Sequence, residues 1–468
     1  DMSNQNKTQG QLLEEQLLMA PKNGAEILSD EEIAKADEFC EGYKAFLKCA
    51  KTEREAVAQT VKILKDHGYV EFDPDKKYGP GDKVYYNNRG KALCFATIGT
   101  RSMKEGIRLV ASHIDSPRVD LKPNPLYEDA EIGYFKTHYY GGIRKYQWTA
   151  IPLSLHGVIV KKGGEAVTVS VGDEPGEPVF SITDLLPHLS KDQDARKLGD
   201  GIRGEELNIV IGSRPFRDDK ASQKVKLAIA KILFDKYGVV ESDFQAADLQ
   251  AVPAFDPRDV GFDRSMVGAY GQDDKVCAYT SLMAAIEAPA PEYTHVTVMA
   301  DKEEVGSPGA TGMGSDYFVY FISDLAKHYG IEGRTVLTHT KCLSADVNCA
   351  FDPSFPDVAE RRNIAYANHG TVLTKYTGAR GKSGCNEATA EFMGFVRDLF
   401  DAEGVLWQTG EIGKVDQGGG GTVAVEISKH NADVVDIGVP VLSMHAPFEL
   451  VSKIDTYMTY RAFKAFLK

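Results

Sequence analysis

Five short stretches of this 468-residue chain combine histidine and carboxylates in ways that could hold a metal ion and do chemistry with it. His113-Ile114-Asp115 follows the apolar run Leu109-Val110-Ala111, and Asp301-Lys302-Glu303-Glu304 follows Val296-Thr297-Val298-Met299-Ala300. Asp346 follows Cys342-Leu343-Ser344-Ala345, His445 follows Val441-Leu442-Ser443-Met444, and Gln272-Asp273-Asp274-Lys275 stands at an expected helix start. Taken singly, each has an ordinary structural reading: a histidine closing a strand, an N-cap aspartate, two solvated loop carboxylates. Taken together, two histidines and several carboxylates without a cysteine make a hard-to-borderline donor set suited to Zn²⁺, Mn²⁺ or Co²⁺. The spacing also has mechanical meaning. In His-x-Asp at a strand end, residues i and i+2 point the same way, so Asp115 can accept the ring N–H that His113 turns away from a metal. In Glu-Glu the neighbouring side chains diverge, so one can ligate while the other acts on a water as general base.

Groups of this kind collect beyond the strand ends of open α/β sheets, and the surrounding sequence supplies such a frame. Ser29-Asp30-Glu31-Glu32 and Thr52-Glu53-Arg54-Glu55 fit helix capping boxes followed by apolar residues at helical spacing. Residues 84–99 read as a hairpin around Asn87-Asn88-Arg89-Gly90, and 107–111 as a strand. From Val119 to Pro257 the texture changes, with prolines at 123, 125, 152, 175, 178 and 187 punctuating short strand-like runs and one helix near 221–237. Strand and helix then alternate: helix 275–286, strand 294–300, helix 315–328, strands 335–338 and 342–345, helix 387–400, strand 405–408, helix 422–429, strand 439–444 and a helix from Ser452. The pattern predicts a mixed α/β sheet with helices on both faces, formed by residues 1–118 and 258–468 and interrupted by a β-rich insertion at 119–257.

The motifs also carry a resemblance. Ala111-Ser112-His113-Ile114-Asp115-Ser116-Pro117-Arg118, Asp273-Asp274, Lys302-Glu303-Glu304-Val305-Gly306-Ser307, Ser344-Ala345-Asp346 and Ser443-Met444-His445 stand in the order and approximate spacing of the M18 aminopeptidases, the aspartyl aminopeptidase and aminopeptidase I group. The resemblance covers nearly the whole chain. It implies a zinc-peptidase catalytic domain of the phosphorylase/hydrolase-like type, with the insertion as a dimerisation domain. It further implies two divalent ions per subunit, zinc first and Mn or Co as alternatives, bridged by Asp273. His113 and Asp346 would complete one site, Glu304 and His445 the other, with Asp115 orienting His113 and Glu303 as base and later acid. His369, in Ala367-Asn368-His369-Gly370, resembles the family histidine that reaches across a subunit interface, and the family assembles from dimers into dodecamers. Where eukaryotic members carry Trp-Phe-Asp-Arg-Asp-Leu, this chain reads Gln147-Trp148-Thr149-Ala150-Ile151-Pro152-Leu153, so the preferred N-terminal residue stays open. Lys375, Arg380 and Lys382 are candidate partners for an acidic substrate side chain, or solvated loop cations.

Composition narrows the classes. With 54 Lys and Arg against 68 Asp and Glu the formal charge is −14, and no basic cluster with interleaved aromatics marks a nucleic-acid partner. Seven scattered cysteines without a C-x-x-C argue for a reducing compartment and against a thiolate zinc site. No run approaches the roughly 18 apolar residues of a membrane span, and the polar opening stretch has no signal-like apolar region, so a cytoplasmic protein is expected. Gly381-Lys382-Ser383 resembles the end of a P-loop, but Tyr376 stands where that motif needs glycine. The run Gly418-Gly419-Gly420-Gly421 fits close backbone approach, or an anion cradle. The reading that follows is a peptide exopeptidase acting on free N-termini; the alternatives are a two-metal carboxypeptidase or deacylase, and a catalytically silent scaffold.

Overall fold

The apolar runs that precede the candidate ligands become neighbouring strands. In the computed structural model, which describes residues 7–468, a nine-stranded sheet runs in the order 70–71, 83–88, 92–97, 295–300, 108–113, 341–345, 433–438, 371–374, 407–409. Its centre, His295–Ala300, Arg108–His113, Lys341–Ala345 and Asp433–Gly438, is all parallel. Parallel strands are buried on both faces. Val110, Met299, Leu343 and Val435 face a core with the helices Asp30–Cys49, Gln272–Glu287 and Lys453–Phe466. Leu109, Val298, Cys342 and Val434 face a second core with Tyr317–Lys327 and Gly333–Thr338. The register pairs Ala300 with His113 and Ala345 with Ile437, so three motif-bearing strands end along one edge.

The expected hairpin forms between Lys83–Asn88 and Ala92–Thr97, with Arg89 and Gly90 both left-handed and Gly90 N–H donating to Asn87 Oδ1 at 2.8 Å. Three local expectations change. Residues 335–338 form part of a helix, Gly333–Thr338, because burying Val336 and Leu337 against the neighbouring helix outweighs the strand preference of Thr and Val. Residues 439–444 do not make a strand of the main sheet: Asp433–Gly438 takes that place, and Pro440–Leu442 joins a smaller five-stranded sheet with 258–260, 266–269, 449–452 and 348–349. A further helix, Gln9–Leu17, is capped by Thr8 and Gln11 in a capping box and buries none of its residues. Residues 1–6, the start of the polar opening stretch, lie outside the described residues.

A seven-stranded sheet, antiparallel at every pairing, takes the order 166–171, 153–160, 247–253, 118–129, 132–140, 209–212, 181–182. It has its own apolar cluster around the buried Trp148. Its seam with the helix Glu53–Asp66 is ionic. The buried Glu53 accepts from Gln250 Nε2 at 2.8 Å, and Lys51 Nζ reaches Pro253 O at 2.7 Å. His156 lies between Glu55, 2.9 Å from its Nδ1, and Asp173. Burial disfavours its charged ring, but the hydrogen bonds to Asp173 and Glu55 push its pKa from the ordinary 6.5 up to about 9.

A raised histidine pKa contributes stability that is fully present below pH 6.5 and disappears as pH rises through about 9. Thermal or urea unfolding from pH 7 to 10 should therefore show the wild type losing on the order of 2 kcal/mol more than His156→Gln. Parallel curves for the two proteins would remove this role.

Candidate metal centre

Each candidate ligand is delivered by a different local device. His113 is the last residue of its strand, and Asp346 follows its strand with its N–H donating to Ile437 O at 2.9 Å. After His295–Ala300 the left-handed Lys302 turns the chain, so that Glu303–Val305 forms one tight turn above the strand ends. Asp273 lies in the first turn of Gln272–Glu287 with non-helical φ −81° and ψ 104°, and its side chain caps nothing. The N-cap reading of Asp273 is thereby replaced. His445 sits in the turn between Pro440–Leu442 and Glu449–Ser452, itself left-handed, so the smaller sheet delivers it.

These five elements converge. His113 Nε2 is 3.1 Å from Asp273 Oδ1, 3.4 Å from Glu303 Oε2, 3.6 Å from Asp346 Oδ1 and 3.9 Å from Glu304 Oε1. His445 Nε2 is 3.0 Å from Asp273 Oδ2 and 3.4 Å from Glu304 Oε2. His113, Asp273 and Asp346 offer ligand atoms within 4.8 Å of one another; so do Asp273, Glu304 and His445. The two oxygens of Asp273 face the two triads separately. A third grouping within the same limit, His113, Glu303 and Glu304, overlaps both.

The electrostatics describe a place built for cations. Burial pushes the carboxyls of Glu303 and Glu304 well up, and the neighbouring carboxylates add to the shift. Asp346 moves the same way. Asp273 is held low despite burial, because both histidine rings lie against its carboxylate. His113 is burdened by burial but pushed well above its ordinary value by Glu303 and Asp346. His445, likewise opposed by burial, is pushed up to about 11 by Asp273 and Glu304. The carboxylates thus favour positive charge at the two rings, the charge that metal ions would supply on displacing protons there. Asp273 Oδ1, Glu304 Oε1 and His113 Nε2 are buried without a hydrogen-bond partner, and they aim into this cluster. Nitrogen and carboxylate donors left open in this way fit zinc or a similar divalent ion.

The whole chain has known counterparts. A family profile described as aminopeptidase I zinc metalloprotease (M18) matches residues 46–467. The chain belongs to the M18 aminopeptidase family. The probable M18 family aminopeptidase 1 of Clostridium acetobutylicum is 47% identical over 459 residues, covering 96% of this chain and 99% of that protein. The crystal structure of an M18-family aminopeptidase from Thermotoga maritima superposes with a TM-score of 0.91 at 42% identity, covering 96% of this chain and 99% of that one. A dodecamer of mApe1 from S. cerevisiae shares the fold with a TM-score of 0.73 at 21% identity over 93% of this chain and 96% of that one. The protein is therefore a metallo-aminopeptidase, a hydrolase.

In this M18 chain the ligand cluster rests on Asp115, which the His-x-Asp spacing pointed to, and on residues most of which no motif contained. Asp115, fully buried, sits 3.1 Å from His113 Nδ1 as expected, and its carboxylate also accepts Tyr140 Oη at 2.7 Å and the N–H groups of Glu303 and Glu304 at 3.2 and 3.1 Å. Glu449 accepts from the N–H groups of Asp273 at 3.2 Å and His445 at 2.9 Å, and burial pushes its carboxyl up to about 8. Asp274 accepts from His113 N–H at 3.1 Å. Gly142 O lies 2.8 Å from His445 Nδ1, and a Cβ built on Gly142 would stand 3.6 Å from that nitrogen. Besides Asp115, only Asp274 among these supports belongs to one of the sequence motifs. Glu449, four residues after His445, offered proximity as its sole signal.

The aminopeptidase cluster opens into a cavity of about 500 Å³, walled by Val347, Ile412, Met444 and Val425 on its apolar side. Residues 419–422 and Glu426 also line it, but no lysine or arginine does among the described residues. Lys375 and Lys382 both pair with Glu387, at 2.8 and 3.1 Å, and Arg380 lines a neighbouring depression with Lys382 and Lys414. Gly418 and Gly419 fit the close-approach reading: a Cβ would fall 1.9 Å from Ile412 O and 2.7 Å from Ala379 Cα. His369 is not part of the cavity wall in its own subunit. It stands beside Tyr366, ring centroids 5.8 Å apart.

Because Asp115 touches His113 and both Glu303 and Glu304 backbones, Asp115→Ala should weaken metal affinity by about 10- to 100-fold. Chelator titration followed by metal analysis measures this; an unchanged affinity would remove Asp115 from the support of the centre.

Proposed function

We propose that this aminopeptidase is a dinuclear exopeptidase that releases the N-terminal residue of peptides. Two divalent ions, zinc first, would be held by His113 and Asp346 on one side and Glu304 and His445 on the other, with Asp273 shared. The observation that carries this reading is the arrangement of Asp273, whose two oxygens face separate histidine-containing triads. When bound, such ions polarise the scissile carbonyl and lower the pKa of an attacking water. Glu303 takes the proton of that water and hands it to the leaving amine, a cycle suited to a carboxyl whose pKa burial has raised. Asp115 holds the His113 ring by its Nδ1 and so presents Nε2. Among the described residues the cavity wall has no lysine or arginine to receive a substrate carboxylate, which supports an aminopeptidase over a carboxypeptidase.

The cavity wall supports a preference for uncharged, apolar N-terminal residues. An acidic side chain entering there would meet carboxylates and, among the described residues, no lysine or arginine. His369 is read as serving a neighbouring subunit, since it lies outside its own cavity wall. The β-rich segment 119–257 is read as the dimerisation unit, with assembly to a dodecamer like that of the yeast mApe1 structure and the cytoplasm as compartment.

Glu303→Gln should retain its metal while turnover falls by roughly 10²–10⁴; activity within a few-fold of wild type would exclude Glu303 as the base. Across aminoacyl p-nitroanilides, kcat/KM should be at least about tenfold higher for leucyl than for aspartyl or glutamyl substrates, a difference of roughly 1.4 kcal/mol. A preference for acidic residues would overturn the reading of the cavity.

A further inference from the structure

Residues 419–421 line the cavity and, with Gly418, make a run of four glycines; Gly418 and Gly419 lie close against Ile412 and Ala379, whereas the next two are open. A Cβ added to Gly420 would meet nothing within 4 Å, and one on Gly421 only Gly384 O at 3.7 Å. Gly420 and Gly421, unpacked in this way, are entropically costly to hold in one shape, about 1–2 kcal/mol per residue. Backbone bonds from Gly418 N–H to Lys414 O at 2.9 Å and from Gly420 N–H to Thr377 O at 2.7 Å tie it only to other loops. The tie to the sheet comes at the next residue. Thr422 donates its hydroxyl to Asp436 Oδ1 at 2.6 Å and accepts the N–H of Ala424 at 3.2 Å, joining the segment to the helix Ala424–Ser428 and to the strand Asp433–Gly438.

Asp436 is an unusual residue for that strand. It is 3% exposed, inside a sheet covered on both faces where apolar side chains are the rule, between a parallel and an antiparallel neighbour, and its Oδ2 is buried without a partner. Opposite it in the register stands Ser344, whose hydroxyl is also unpartnered, two residues before Asp346. A buried carboxyl there costs stability unless it serves a purpose. Because the bond from Thr422 needs only an accepting oxygen at that place, an amide of the same shape can make it.

We infer that Asp436 is a positioning residue: through Thr422 it fixes the glycine segment as a wall of the substrate cavity, and so sets substrate affinity without taking part in proton transfer or metal binding. This inference rests on the aminopeptidase reading of the cavity. The test compares metal-loaded wild type, Asp436→Ala, Asp436→Asn and Thr422→Val, measuring leucyl p-nitroanilide kinetics, metal content and the rate of tryptic cleavage after Lys414. Asp436→Ala and Thr422→Val should raise KM by about tenfold with kcat within about threefold and full metal content. Both should be cut faster at Lys414, and Asp436→Asn should restore both readouts. Thr422→Val carries the same expectation if Asp436→Ala does not fold. An unchanged KM with unchanged cleavage would overturn the inference, as would loss of metal with a fall in kcat at constant KM. Glu303→Gln run in parallel keeps the two claims apart: activity in that variant defeats the catalytic reading, while the tryptic readout still reports on the anchor.

Discussion

The structure is organised around the crowding of like charges in a buried place. Asp273, Glu303, Glu304 and Asp346 all lie within 4 Å of one histidine ring. Two unit charges 4 Å apart repel by about 4 kcal/mol at the effective dielectric typical of proteins, and burial adds a desolvation cost to each. Such a cluster persists only where positive charge is supplied at its centre, and where the backbone is held so firmly that the carboxylates cannot swing apart. Divalent metal ions would meet the first condition. The fold meets the second.

Four parallel strands with both faces covered make the rigid edge from which His113, Asp346 and the turn bearing Glu303 and Glu304 project. The helix Gln272–Glu287 brings Asp273 from one core, and the smaller sheet brings His445 from the side. Two buried carboxylates then lock the joints. Asp115 gathers the His113 ring and the Glu303–Glu304 backbone, and Glu449 gathers the Asp273 and His445 backbones. Each lock spans two or more elements, which explains why acids occupy positions that packing alone would fill with apolar residues.

The antiparallel sheet takes part in the site as well. Tyr140, at the end of its strand Ile132–Tyr140, holds Asp115, and Gly142 O faces the ring of His445. Lys51, Glu53 and His156 bind the root of that sheet to the first helices through charges that are themselves buried. A displacement of the β-rich sheet would therefore be felt at the histidine rings and not only at the seam.

Much of this was legible before any coordinates. His113, Asp273, Glu303, Glu304, Asp346 and His445 announced themselves because ligand-type residues stand directly after apolar runs or at a helix start, and the alternation of runs around them reads as a two-faced α/β sheet. Residues 335–338 misread as a strand because their β-branched character is a weak local preference, and a neighbouring helix overrode it. The strand Asp433–Gly438 was passed over, and with it Asp436, because one aspartate in an apolar run looks like a loop boundary.

The sequence by itself determined the donor set, the chemistry that set permits and the order in which strands would deliver it, since residue type and periodicity are local properties. Only the tertiary structure decided that Asp273 turns one oxygen to each histidine, that Asp115 and Glu449 are the locks, and that Tyr140 and Gly142 reach over from the second sheet. Those choices depend on contacts between residues up to about three hundred positions apart. Apart from the near neighbours His113 with Asp115 and His445 with Glu449, no short window of sequence contains both partners, so only the packed chain could reveal them.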